Sequence, residues 1–180
     1  RFRKMKHNFI EKYKVPEKIC DDLIKYYKNN VEYKNKGQSL EKTKDSTDVM
    51  FYNPSNNEYI NNFFHHLGIS IQKYVKKFKI CEKIHTELGN NIQYYKPGGG
   101  YPNLHYERSN KMPNRMLVYM LYLNTVTDKG GTEFPLQNIT LSAIKGDLYI
   151  WPAEFTHPHK GIISPTQEKY IATGWFELVN

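Results

Sequence analysis

His105, Tyr106 and Glu107 set an imidazole and a carboxylate two residues apart. On an extended chain, positions i and i+2 point to the same side, so one short strand can aim both groups at a single point. One further histidine from a distant strand would complete a facial two-His, one-carboxylate metal site. Such a site leaves coordination positions open for small reactants. A His near a Glu is, on its own, an ordinary surface pair. Its company changes the reading: Trp151-Pro-Ala-Glu-Phe-Thr-His157-Pro-His159-Lys160-Gly161 supplies two more imidazoles, and Lys169 follows His159 by ten residues. His157 and His159 are two apart, so both could face the same point, but only one is needed.

Lys169 opens a stretch in which Lys169, Ile171, Thr173 and Trp175 fall on one strand face by alternation. An ammonium turned inward beside Ile and Trp is costly unless an anion meets it. The carboxylate of a bound cosubstrate would be that anion. If Lys169 faced solvent instead, Thr173 and Trp175 would face outward with it, which is the less economical arrangement.

The elements that must position these groups show a change of period. From about Asn90 onward the apolar residues alternate, giving candidate strands at 92–96, 104–108, 116–123, 132–134, 139–141, 147–151 and 169–178. Turn signals separate them at Pro97-Gly98-Gly99-Gly100, Asp128-Lys129-Gly130-Gly131 and Lys145-Gly146-Asp147. Many short strands at this spacing predict a sandwich or jelly roll. The 15 tyrosines among 180 residues suit strands with one packed and one wet face. Upstream, Pro16 precedes an apolar stripe of Ile19, Leu23, Tyr26 and Tyr27 at helical spacing. A second stripe runs Ile60, Phe63, Phe64, Leu67, Ile71, Tyr74, Val75 and Phe78. Both read as core-facing helix faces. Residues 34–54 are polar and read as a long loop. The expectation is one domain over 1–180, with 1–88 as helical support and loop and 89–180 as the β core.

The formal charge of +8 invites a nucleic-acid partner, but its distribution argues against one. Residues 1–88 carry 18 Lys+Arg against 11 Asp+Glu, and residues 89–180 carry 8 against 7. The lysines are scattered, with no aromatic and basic strip beside them. Cys20 and Cys81 make no disulfide framework, and Cys20 sits among apolar residues as a buried thiol would. The longest apolar run, 116–123, is far short of a membrane span. The expectation is a soluble protein of the cytoplasm, without a membrane partner.

Taken together, the segments resemble the Fe(II)/2-oxoglutarate dioxygenases of the prolyl 4-hydroxylase type, over roughly residues 92–177. The parts are Gln93-Tyr94-Tyr95-Lys96-Pro97-Gly98-Gly99-Gly100-Tyr101, His105-x-Glu107, Arg115 before Met120-Leu121-Tyr122-Leu123-Asn124, Gly130-Gly131-Thr132-Glu133-Phe134-Pro135, and His157-Pro-His159 through Lys169-Tyr-Ile-Ala-Thr-Gly-Trp175. Each is common alone; in this order and spacing they are specific. The resemblance implies a mainly β, α+β fold: a double-stranded β-helix (jelly roll) flanked by N-terminal helices. It implies iron ligands His105, Glu107 and His159, the spacing to Lys169 favouring His159 over His157. It further implies that Lys169 pairs with the distal carboxylate of 2-oxoglutarate and that Thr173 is a hydrogen-bond donor nearby. Tyr95 and Tyr122 would line the cosubstrate pocket, and Trp175 would form its wall. Arg115 and the Gly130–Pro135 segment are assigned packing and turn roles. The commoner carboxylate ligand is Asp, so Glu107 is a departure that changes reach by a methylene.

The implied cofactors are Fe(II) and 2-oxoglutarate, with O2 as cosubstrate and ascorbate in support. The implied activity is hydroxylation of a peptidyl side chain such as proline, on a peptide or protein partner. Residues 34–54, 98–103 and 109–114 would shape substrate choice. Hydroxylation of a free amino acid or other small molecule is the alternative within the class. A noncatalytic jelly-roll binding module is the alternative outside it, and it would need the ligand set and Lys169 to be coincidental.

Overall fold

The computed structural model describes residues 7–30, 35–36 and 44–179. Two helices form where the stripes predict them. Pro16 caps α1 (Glu17–Asn29), a position where its missing N–H costs nothing, and Ile19, Leu23 and Tyr27 are buried. Asn57 caps α2 (Glu58–Phe78), its side chain accepting from the N–H groups of Tyr59 at 2.9 Å and Ile60 at 3.3 Å. Ile60, Phe63, Leu67 and Tyr74 make the buried face of α2. Among the described residues, no helix is long and apolar enough to cross a membrane.

The strands are β1 (Glu11–Lys14), β2 (Asn35–Lys36), β3 (Thr47–Tyr52), β4 (Ile84–Thr86), β5 (Gly89–Tyr95), β6 (Arg115–Tyr122), β7 (Thr132–Phe134), β8 (Ile139–Leu141), β9 (Asp147–Pro152), β10 (Lys160–Gly161) and β11 (Lys169–Leu178). The larger sheet runs β1-β9-β6-β11-β5-β3-β2, with β4 also on β11, and the smaller runs β10-β7-β8. All pairings are antiparallel. With the helices on one side of the large sheet, this is a double-stranded β-helix of the mainly β, α+β class.

The large sheet is covered on both faces, which explains the unbroken apolar run of β6. Leu117, Tyr119 and Leu121 join Leu148, Ile150, Tyr170, Ala172 and Phe176 in a core shared with Leu23, Phe63 and Leu67 of the helices. Val118, Met120 and Tyr122 join Tyr149, Trp151, Phe134 and Ile171 in a second core between the two sheets. Alternation along each strand divides its residues between the two cores.

Three expectations are corrected. The window 34–54 is not one long loop: β2 and β3 lie in it, and β3 pairs with β5 along its whole length. The signal was hidden because Val49 and Phe51, the buried pair, alternate with exposed Met50 and Tyr52 inside a window dominated by Lys, Asp and Ser. Residues 34 and 37–43 of that window lie outside the described residues. With β1, β3 and β4 all in the large sheet, residues 1–88 supply strands as well as helices. Residues 104–108 form no strand, only a bridge between His105 and His159. The N–H groups of Glu107 and Arg108 both donate to the Ala153 carbonyl, at 3.1 and 2.9 Å, and that doubling ends the ladder. The chain there is nonetheless extended enough for exposure to alternate: Asn103, His105 and Glu107 are half-buried, and Leu104 and Tyr106 are exposed.

Candidate metal centre

His105 and Glu107 sit on that extended segment, and His159 lies across the bridge from them. The ligand atoms of His105, Glu107 and His159 all lie within 4.8 Å of one another. Nε2 of His105 is 3.4 Å from Oε1 of Glu107, and Nε2 of His159 is 3.5 Å from the same oxygen. The other ring nitrogens face backbone: His105 Nδ1 meets the Asn103 carbonyl at 2.8 Å, and His159 Nδ1 meets the His157 carbonyl at 3.1 Å. A carbonyl only accepts, so Nδ1 carries a proton on each ring and Nε2 is the ring atom turned toward the carboxylate. Two ring nitrogens and a carboxylate oxygen this close together need positive charge among them, from protons on the rings or from a metal ion. Backbone-anchored Nδ1–H groups are also the common way of orienting metal-binding imidazoles. The donor set suits Fe(II), so the residues fit such an ion.

Ring packing holds the two imidazoles in place. Tyr101 stacks on His105 with centroids 4.1 Å apart; Phe134 stacks on His159 at 5.2 Å, and Trp151 meets His159 edge-on at 5.1 Å. Burial opposes ionisation of Glu107, but hydrogen bonding to the His105 and His159 rings outweighs it and holds the carboxyl well below the usual range. His157 lies outside the cluster. Its Nε2 faces the Asn8 carbonyl at 2.8 Å and its Nδ1 faces Thr156 Oγ1 at 2.9 Å, so both nitrogens are engaged elsewhere.

The cluster opens into a cavity of about 1010 Å³, which Lys169, Tyr95, Tyr122, Thr173 and Trp175 also line. Lys169 is 5% exposed and donates to the Gly130 carbonyl at 3.1 Å, with Nζ 4.8 Å from the centre of the Tyr95 ring. Gly130 has φ +74°, a conformation that suits glycine, so the turn can present its carbonyl there. Among the described residues, no carboxylate pairs with Lys169. Burial lowers its pKa from 10.5 to about 8. A buried ammonium with one neutral acceptor and an aromatic face beside it is built to receive an anion.

The other expected pocket residues carry fixed hydrogen bonds. Tyr95 donates to Gln93 Oε1 at 2.6 Å, and the Tyr122 hydroxyl meets Thr132 Oγ1 at 2.7 Å. Burial pushes both phenols up, Tyr95 well above the ordinary value. Thr173 departs from expectation. Its hydroxyl donates to the Tyr119 carbonyl at 2.9 Å, so only its lone pairs are left for the cavity.

Arg115, given a packing role from sequence, lines the cavity. It stacks over the Trp175 ring at 3.5 Å, binds Glu87 through Nε at 2.9 Å and Nη2 at 3.1 Å, and approaches Glu107 Oε2 at 3.6 Å through Nη1. Strict alternation would put Arg115 on the same face as Leu117 and Tyr119, under the helices. In the structure Phe176 pairs with Leu117 and Glu177 with Arg115, so Met116 is an extra residue and the bulge re-aims Arg115. No sequence period reports a bulge. Glu87 was missed for a similar reason, since it lies outside regular strands, and Tyr101 was read only as part of the Gln93–Tyr101 motif and of the 98–103 segment.

Residues 90–177 match the family model described as the 2OG-Fe(II) oxygenase superfamily. No curated protein matches the chain in sequence. Among solved structures, the viral collagen prolyl hydroxylase of Paramecium Bursaria Chlorella virus-1, in its 2OG complex, superposes with a TM-score of 0.75 at 22% identity. That match covers 96% of this chain and 97% of the viral one. A Pseudomonas putida prolyl-4-hydroxylase gives 0.74 at 17% identity, over 96% and 94% of the two chains. A Trichoplax adhaerens prolyl hydroxylase, solved with a hypoxia inducible factor oxygen degradation domain peptide fragment, gives 0.77 at 14% identity, over 94% and 84%. The fold is therefore that of the prolyl 4-hydroxylase-like oxygenases. Residues 90–177 carry the match to the 2OG-Fe(II) oxygenase superfamily, the His105, Glu107 and His159 cluster lies within that span, and together they support a 2-oxoglutarate-dependent dioxygenase using Fe(II).

Proposed function

We propose that this chain hydroxylates a peptidyl side chain, with proline the foremost candidate, holding Fe(II) on His105, Glu107 and His159 and 2-oxoglutarate on Lys169. One observation carries the reading: a single cavity has at one side two imidazoles within 3.5 Å of a shared carboxylate oxygen, and also contains a buried ammonium lacking a carboxylate partner among the described residues. Bound together, Fe(II) and 2-oxoglutarate supply the O2-dependent oxidation that couples decarboxylation to succinate with hydroxylation of a C–H bond. The chain's own contribution is orientation and exclusion of water. The Asn103 and His157 carbonyls fix the two rings, Lys169 fixes the far carboxylate of the cosubstrate, and Tyr95, Tyr122 and Ile171 enclose it.

The peptide reading is supported by the cavity and its mouth. A volume of about 1010 Å³ is large for 2-oxoglutarate alone and leaves room for a substrate side chain. The mouth carries Met50, Tyr106 and Met112, between 40% and 51% exposed, as an apolar rim. Its charges are paired among themselves, Glu87 with Arg115 and Lys44 with Asp48. An uncharged prolyl side chain with flanking backbone fits such a rim better than a free zwitterion does. Free thiols at Cys20 and Cys81 fit a reducing compartment, and we place the enzyme in the cytoplasm.

The test is incubation of the protein with Fe(II), 2-oxoglutarate and ascorbate, against proline-containing peptides and against free proline. Succinate formed with one oxygen added to proline in a peptide is the expected result. Succinate coupled to free proline alone, or none with any peptide pool, contradicts the peptide assignment.

A further inference from the structure

We propose that Trp175 and Arg115 are positioning residues that tie down the second oxygen of Glu107, making this glutamate a one-oxygen metal ligand. The inference rests on the metal reading above and deepens it. The two carboxylate oxygens have different surroundings. Oε1 faces both imidazoles, at 3.4 and 3.5 Å. Oε2 accepts from Trp175 Nε1 at 3.1 Å and lies 3.6 Å from Arg115 Nη1. One oxygen is thus presented to a cation, and the other is occupied by donors.

A glutamate needs this restraint more than an aspartate does. It has an additional torsion to order, and its terminal carboxylate torsion is broad. An untied carboxylate could turn both oxygens to the cation and occupy a position that an open facial site must keep free. Trp175 and Arg115 are themselves braced. The guanidinium stacks on the Trp175 ring at 3.5 Å and is gripped by both oxygens of Glu87. The Glu87 N–H donates to the Trp175 carbonyl at 2.8 Å, which closes the brace through the backbone. The Arg115 side chain is 11% exposed and that of Glu107 16%, so these contacts are little screened by solvent.

Co(II) serves as the probe, because its affinity can be read by calorimetry and its visible absorption reports coordination number. Trp175→Phe keeps the ring and removes the N–H. We expect Co(II) to bind on the order of tenfold more weakly, with a shifted cobalt spectrum and unchanged thermal unfolding of the apo protein. Glu87→Gln, which loosens Arg115 without touching the ligands, should shift the same spectrum with a smaller loss of affinity. In a Glu107→Asp background the shorter carboxylate no longer reaches Trp175, so adding Trp175→Phe should cost less than about twofold. Wild-type affinity and spectrum in both Trp175→Phe and Glu87→Gln overturn the positioning role and leave the metal site standing. If the wild-type protein binds Co(II) no better than His105→Ala does, the metal reading falls and this inference with it.

Discussion

Along β11, Tyr170, Ala172 and Phe176 point into the apolar core beneath the helices, whereas Lys169, Thr173 and Trp175 point into the cavity. The strand neighbours are shared, yet the two faces meet opposite demands. On the helix side, burial of apolar groups stabilises the fold. On the cavity side, a buried ammonium and two imidazoles crowded on a carboxylate are unfavourable by themselves, and the proposed diacid and cation would relieve both. Period-two alternation lets one strand serve both, with the stable face holding the strained one in register. Substitutions on the two faces should therefore separate stability from binding.

The largest effect expected is on the ligand cluster. His105→Ala or Glu107→Ala should reduce succinate formation to background and weaken metal binding by more than about a hundredfold, beyond the effect of losing a supporting contact. Denaturant unfolding of the apo protein should change little. On the opposite face, Leu121→Ala should lose about 2–5 kcal/mol of unfolding free energy while the 2-oxoglutarate affinity of the folded protein stays near wild type. Leu121 is fully buried among the helix-facing core residues, so the contrast is direct.

Lys169→Met should move the two quantities in opposite directions. Losing a charge-assisted contact worth about 1.5–3 kcal/mol should weaken 2-oxoglutarate, while replacing a buried cation by an apolar chain should raise apo stability. Titration by calorimetry and urea melts would show both. A smaller effect follows from pH. Burial lowers the Lys169 pKa to about 8 from 10.5, so between these values the unfolded chain binds more protons than the folded one. This residue's contribution to stability should therefore rise with pH across that window, its penalty being full below about pH 8. With 2-oxoglutarate held by the Lys169 ammonium as proposed, its affinity should fall above about pH 8, toward tenfold per pH unit. Lys169→Met should flatten both profiles.

The convergence of His105 and Glu107 on one side was legible because exposure alternates through 103–107 although no ladder forms there, and the i, i+2 argument needs only an extended chain. β7 and β8, though only three residues each, were legible to the residue from the turn signals around them, and β11 from alternation along its ten residues. β3 was hidden by its polar setting, and β1, β4 and β10 by their length of two to four residues. Arg115 was misread because a bulge at Met116 reverses the side it faces. Thr173 was placed on the right face, yet its proton belongs to a backbone carbonyl of the neighbouring strand, a choice only tertiary geometry reveals.

Anaerobic addition of Fe(II) and 2-oxoglutarate to the purified protein tests the central claim most directly. A visible charge-transfer absorption should saturate only when both are present, disappear in His105→Ala, and require more 2-oxoglutarate in Lys169→Met. Absence of that band in the wild-type protein, or its persistence in His105→Ala, would contradict the account.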